Sequence, residues 1–204
     1  MVTHKHHDHT GGISELLSTF PNAHVYSNKV DNIAQTTQFV SQDDLITIND
    51  HEFKVIEIPG HTLGHVAYYC KPYLFCGDTL FTNGCGRIFE GSAKQMLSSL
   101  KKLMHLPDDT LIYCGHEYTQ SNIKFALQVE PNNQELRKRF EATNALRAQH
   151  KPTVPSTLQL EKDTNPFLRC DSDEIIQTVS HHANKKLNNE VDIFHEMREW
   201  KNKF

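Results

Sequence analysis

The sequence contains no run of about 18 apolar residues, the length at which a helix begins to span a bilayer, so no membrane-crossing helix is expected. Its Lys and Arg residues form no basic stripe and the formal charge at pH 7 is -4. The electrostatic footprint of a protein that tracks a phosphate backbone is therefore missing, and nucleic acid is not an expected partner. The five cysteines, Cys70, Cys76, Cys85, Cys114 and Cys170, include no CxxC pair, are odd in number and follow no secretory signal. That pattern predicts free thiols in a reducing, cytoplasmic setting rather than a disulfide framework. There is no internal repeat and no low-complexity tract. With 204 residues, 37% hydrophobic and 23% charged, the chain has the composition of a globular protein with a sizeable core.

What the sequence has in excess is histidine, 14 in all. His4, His6, His7 and His9 fall in one short stretch, interrupted by Lys5 and Asp8 and followed by Thr10-Gly11-Gly12. A purification tag would be unbroken, so this is read as native sequence. Val2-Thr3-His4 has the character of the tail of a strand. Beyond the glycines, Ile13, Leu16, Leu17 and Phe20 recur at helical spacing and Pro21 ends the run. The histidine cluster thus stands where an extended segment hands over to a helix. Segments 24–26, 53–58, 66–70, 73–76 and 111–114 read as strands bounded by Gly, Pro, Asp or Asn. Ser92 to Gln95 has the form of a capping box ahead of a stripe of Met96, Leu100, Leu103 and Met104. From about residue 121 helical patterns take over, at 122–129, 134–149, 173–180 and 191–200. The segment 151–165, with Pro152 and Pro155, reads as a surface connector. The fold class expected is α+β.

His4, His6, Asp8 and His9 together spell HxHxDH. In an extended chain, side chains two apart share a face, so His4 and His6 can grip one ion. Asp8 and His9, at the turn into the helix, can converge on a second. His61, Asp78 and His116 each follow a strand that runs into a loop containing Gly60, Gly77 or Gly115. Loops at one edge of a layered sheet bring residues distant in sequence to one point. The set that results is His4, His6 and His61 for one ion and Asp8, His9 and His116 for the other, with Asp78 between them. Taken singly, His61, Asp78 or His116 would be better read as structural; their shared strand-end context reverses that. His7 and His65 are read as outer or surface groups, and Cys76 and Cys114 as small buried side chains.

These motifs carry a resemblance. THKHHDH (Thr3–His9), PGHTLGH (Pro59–His65), GDTLF (Gly77–Phe81) and GHEYT (Gly115–Thr119) resemble the successive motifs of the metallo-β-lactamase superfamily. The stretches Cys85–Gly91, Gly115–Thr119, Asn165–Arg169 and Arg198–Phe204 narrow the likeness to glyoxalase II, the hydroxyacylglutathione hydrolases, in order along the whole chain. The resemblance implies an αββα sandwich in residues 1–120 and a helical substrate-binding region in residues 121–204. It also implies that groups matching Arg87, Tyr118, Arg198 and Lys201 hold glutathione, whose carboxylates suit an Arg fork and a Lys ammonium. Without it, Arg198 and Lys201 would be read as a solvated helix face. Phe89 stands where some members carry a tyrosine. The family's paired strands ahead of HxHxDH have no counterpart here, so an amino-terminally incomplete sandwich is expected.

The activity implied is hydrolysis of S-(2-hydroxyacyl)glutathione, such as S-lactoylglutathione, to glutathione and a 2-hydroxy acid by a hydroxide bridging two metals. Asp8 and Asp78 are the expected catalytic carboxylates. Zinc suits the histidine-rich set, and iron or manganese are also compatible with it. A monomer acting on a small molecule is expected. The alternatives are another hydrolase of the superfamily, a persulfide dioxygenase, or an inactive truncated relic that binds metal.

Overall fold

The computed structural model describes residues 1–204. The histidine segment runs extended to His6 and then enters α1 (His7–Thr10), followed across Gly11-Gly12 by α2 (Ile13–Thr19). The extended lead-in is tied on both sides: Val2 donates its amide to the Tyr26 carbonyl (2.8 Å), and the Thr3 carbonyl accepts from Val66 (2.9 Å). Next come β1 (Tyr26–Asn28), β2 (Gln38–Val40), β3 (Leu45–Ile48), β4 (His51–Glu57), β5 (Val66–Cys70) and β6 (Tyr73–Gly77). The first strand therefore lies two residues beyond the segment expected from sequence, because its ladder is a short parallel pairing with β2 in which Tyr26 faces Gln38.

A small hairpin, β7 (Leu80–Phe81) and β8 (Gly84–Cys85), precedes α3 (Ala93–Met104), and β9 (Leu111–Cys114) returns to the sheet. The helix begins where the capping box placed it. Ser92 Oγ accepts from the Gln95 amide (3.2 Å), and Gln95 Oε1 accepts from the Ser92 amide (3.0 Å). The remaining elements are α4 (Thr119–Val129), α5 (Gln134–Ala148), β10 (Ser156–Thr157), α6 (Leu158–Thr164), α7 (Asp173–His182) and α8 (Glu190–Lys203).

Six strands form one sheet in the order β10-β9-β6-β5-β4-β3, antiparallel throughout except where β9 runs parallel to β6. Alternation along the strands sorts its faces. Ile56, Ala67, Leu74, Cys76 and Ile112 turn to the helices and join Met96, Leu100, Phe125, Phe167, Phe194 and Met197 in a core of 24 buried residues. On the other face Phe53, Phe75 and Tyr113 form an aromatic stripe, with Phe75 stacked on Tyr113 at 5.3 Å. No helix is long and apolar enough to cross a membrane.

The segment 151–165 departs from its reading as a connector. Its prolines restrict only the first residues. Ser156 then pairs with Ile112 as an added strand, Thr157 caps α6 by accepting from the Leu160 amide (3.2 Å), and Leu158, Glu161, Thr164 and Asn165 are fully buried.

Candidate metal centre

The sheet delivers the site from the ends of its strands. His61 lies beyond β4, Asp78 directly after β6 and His116 after β9, while His4, His6, Asp8 and His9 come from the extended lead-in and α1. Gly77 adopts a left-handed conformation (φ 49°), the conformation glycine enters most readily, and this turns the chain so that Asp78 leaves the strand towards the histidines. Gly115 is needed for close approach, since a β-carbon there would strike the Asp78 carboxylate and the His9 ring.

The seven predicted residues converge. His6 Nδ1 lies 3.1 Å from His4 Nε2 and 2.9 Å from His61 Nε2. His116 Nε2 lies 3.2 Å from Asp8 Oδ2 and 3.3 Å from Asp78 Oδ2, and His9 Nε2 lies 3.2 Å from Asp78 Oδ1. Asp78 Oδ2 is also 3.6 Å from His61 Nε2, so its two oxygens face both groups of histidines. In the sets His4/His6/His61, His4/His9/Asp78 and Asp8/His9/His116, one potential ligand atom per residue lies within 4.8 Å of the others.

Outer contacts orient these rings. His61 Nδ1 donates to the Arg87 carbonyl (2.7 Å), which leaves Nε2 with a free lone pair aimed into the cluster. His65, fully buried, accepts the Asp78 amide on Nε2 (3.1 Å) and stacks on His4 with centroids 4.6 Å apart. Burial, reinforced by the neighbouring histidines, holds His4 far below the usual imidazole range and pushes His65 down to about 3. Burial also lowers His61, against the opposing pull of the Arg87 carbonyl and Asp78. Burial works to raise Asp78, but the contact with His9 and the charges of His9, His116 and His61 outweigh it and hold the carboxylate below its usual range. His9 is raised by the same Asp78 contact. His4 and His61 are thus held neutral beside an ionised Asp78, the protonation state in which such groups bind metal, whereas His9 would give up its proton to an ion.

A cavity of about 560 Å³ opens over the cluster, lined by His6, Asp8, His61, Asp78 and His116 together with Arg87, Tyr118, Arg198 and Lys201. Tyr118, half exposed, stacks on His116 (4.9 Å). Arg198 corrects its bare-sequence reading as a solvated group: it is 4% exposed, donates to the Cys85 carbonyl (2.7 Å) and lies over the Phe167 ring. Lys201 is half-buried, donates to the Ser121 carbonyl (3.2 Å) and is pushed down to about 8 by burial and by the Arg198 charge.

Residues 117–204 match the hydroxyacylglutathione hydrolase C-terminus and residues 1–116 the metallo-beta-lactamase superfamily. Over 206 residues the chain is 50% identical to the hydroxyacylglutathione hydrolase of Nitrosomonas eutropha, an alignment that covers 100% of this chain and 80% of that protein. The chain belongs to the hydroxyacylglutathione hydrolase family. The hydroxyacylglutathione hydrolase of Aeromonas hydrophila is 48% identical over 100% of this chain and 81% of its own length. Among solved structures, ETHE1 from Myxococcus xanthus superposes with a TM-score of 0.63 at 26% identity, covering 98% of this chain and 74% of that one.

Membership in this family of metal-dependent hydrolases agrees with what the buried atoms require. His9 Nε2 and Asp78 Oδ1 are buried without a well-aligned hydrogen-bond partner, and a cation coordinated by both would satisfy them. Every donor in the cluster is an imidazole or a carboxylate, the set that divalent ions take. Sequence reasoning missed part of the cavity wall: Phe81, Ser121, Asn122 and Phe204 line it. Phe81 lies within GDTLF and Phe204 within the stretch Arg198–Phe204, but neither is singled out there as lining a site, and an isolated Ser or Asn on a helix gives no signal of its own.

Proposed function

We propose that this chain cleaves S-(2-hydroxyacyl)glutathione thioesters to glutathione and a 2-hydroxy acid, using two divalent ions, with zinc the best match to a histidine-rich set. The observation that carries the reading is the single cavity that joins the His/Asp cluster to Arg87, Tyr118, Arg198 and Lys201. We assign His4, His6 and His61 to one ion and Asp8, His9 and His116 to the other, with Asp78 shared. When bound, the two ions would acidify a water and polarise the thioester carbonyl.

The protein's own groups do the rest. His61 is locked in one tautomer by the Arg87 carbonyl, and the His65 ring fixes the amide of Asp78, so the ligand atoms need little reorganisation. Asp8, the most exposed member of the cluster, projects Oδ2 beside His116 and is placed to hold the attacking water by a hydrogen bond. Lys201 and Arg87 offer positive charge to the glutathione carboxylates, and the largely buried Arg198 guanidinium adds charge from the cavity lining. Water adds to the carbonyl carbon with loss of a proton, the tetrahedral adduct collapses to the 2-hydroxy acid as the carbon–sulfur bond breaks, and the proton ends on the glutathione thiolate or in solvent. The departing thiolate needs little help, because thiols are far more acidic than alcohols. We divide the labour at residue 120: residues 1–120 supply the ion ligands, and residues 121–204 supply Arg198 and Lys201. The five free thiols support a reducing, cytoplasmic setting, and the proposal is of a monomer.

Thiol release from S-lactoylglutathione, measured beside a lactone, a β-lactam and glutathione persulfide, tests the substrate class. The thioester is expected to be turned over with kcat/KM at least about a hundredfold above the others. Preference for any other member of the panel would overturn the assignment.

A further inference from the structure

Asp31 lies outside every motif described above, yet it is 4% exposed and its side chain sits between the two loops that carry His4, His6 and His61. The local sequence explains its position. Asn28 accepts the Val30 amide on its side chain (2.8 Å) and starts a single 3-10 turn, Lys29–Asp31, which Asn32 ends in the left-handed conformation (φ 49°). The turn directs Asp31 inward. Its Oδ2 accepts from the Lys5 amide (2.8 Å) and from Thr62 Oγ1 (3.0 Å), and its Oδ1 accepts from the Gly64 amide (3.0 Å). Lys5 lies between His4 and His6, and Thr62 follows His61. None of these hydrogen bonds reaches α1 or the His116 loop. A β-carbon on Gly64 would run into the Asp31 carboxylate, so the loop is glycine at the point where it closes on that group.

A buried carboxylate is costly unless donors surround it, and three donors do so here. Two of the three are backbone amides within the ligand loops, so the carboxylate fixes backbone position rather than a side-chain rotamer. Lys5 also pairs through Nζ with Glu90, but both partners are partly exposed and that contact is screened by solvent.

We propose that Asp31 is a positioning residue for one ion only: it fastens the His4–His6 loop to the His61 loop, so that the three ligands are in place before the ion arrives. The inference rests on the two-ion reading above. Its loss weakens the His4/His6/His61 site and spares Asp8/His9/His116.

The test is a stepwise Zn²⁺ titration of chelator-stripped protein by calorimetry with a competing chelator, alongside circular dichroism of each apo-protein. The step weakened in His61→Ala identifies the site in question. Asp31→Asn sets an amide group against the loop donors and is expected to weaken that step by about 10- to 100-fold, the range outer partners of metal ligands carry, with the other step changed less than about threefold. Gly64→Ala should weaken the same step. Thr62→Val removes one of three hydrogen bonds and should weaken it by about fivefold. Lys5→Ala keeps the backbone amide and should change neither step. If Asp31→Asn fails to fold, Thr62→Val and Gly64→Ala decide the question. A wild-type protein that takes up two ions, with variants that weaken both steps alike or neither, overturns the inference alone. A wild-type protein that takes up fewer than two ions overturns the two-ion reading and this inference with it.

Discussion

At Lys201 burial bears directly on the substrate-binding role proposed for it. Its ammonium lies 5.1 Å from the Phe125 ring centroid and 5.3 Å from that of Phe204, and burial together with the Arg198 charge brings it down to about 8. Because the pKa is lowered, the charge is present below that pH and is lost as pH rises through it. KM for the glutathione thioester should therefore climb above about pH 8 while kcat changes little, and Lys201→Arg, which stays charged, should remove the climb. Equal profiles in wild type and Lys201→Arg, measured by initial rates, would show that the ammonium does not hold substrate. At this scale the sequence was informative wherever side chains do the binding. The HxHxDH spacing and the strand-end places of His61, Asp78 and His116 led to the group of seven that the fold gathers. Asp31 was not legible, because its partners are mostly backbone amides, which every residue but proline possesses. The burial of Arg198 was equally hidden, since the Cys85 carbonyl that receives it lies 113 residues away.

Among the elements, the β7–β8 hairpin has little structure of its own and is held from elsewhere in the chain. It carries Phe81 into the cavity and leads from Asp78 to Arg87, yet each of its strands has only two residues. Asn165 Nδ2 donates to the Gly84 carbonyl (3.0 Å) and to the Phe81 carbonyl (3.2 Å), and Asn122 Nδ2 donates to the Thr82 carbonyl (3.0 Å). Glu161 accepts the Asn83 amide (2.8 Å) while paired with Arg139, both side chains being buried. Removing one partner of such a pair leaves an uncompensated buried charge, so Glu161→Ala should cost about 3–5 kcal/mol. The double change Arg139→Met with Glu161→Leu should cost less than Glu161→Ala alone. Urea unfolding decides it: a loss below about 1 kcal/mol for the single variant would contradict the structural role given to this pair. The segment 151–165 read as a connector because Pro152, Pro155 and its many polar residues are the usual marks of a surface loop. Its polar groups are instead spent on this network, whose other members lie far away in the chain. α3, by contrast, was legible to within a residue, because a capping box and an apolar stripe are both local signals.

The whole molecule is a six-stranded sheet with helices packed on one face and an aromatic stripe on the other, and its main core draws on strands near Ile56 and on α8 near Met197. The α+β class was legible from the change in periodicity along the chain. Strand order was not, because the parallel return of β9 beside β6 depends on how α3 packs, a long-range outcome with no local signature. The strands that lead to His61, Asp78 and His116 and the helix that carries Arg198 and Lys201 share this core, while the segment that carries His4, His6, Asp8 and His9 packs through a smaller cluster of Val2, Ile13, Val25 and Ile33. We propose that this geometry serves a two-ion thioester hydrolase. Hydrolysis of S-lactoylglutathione by chelator-stripped protein, followed as Zn²⁺ is added in stoichiometric steps, tests it most directly. The rate should be negligible without metal and rise to a plateau at about two equivalents per chain; full activity in the metal-free protein, or a plateau at one equivalent, would show that two ions are not used.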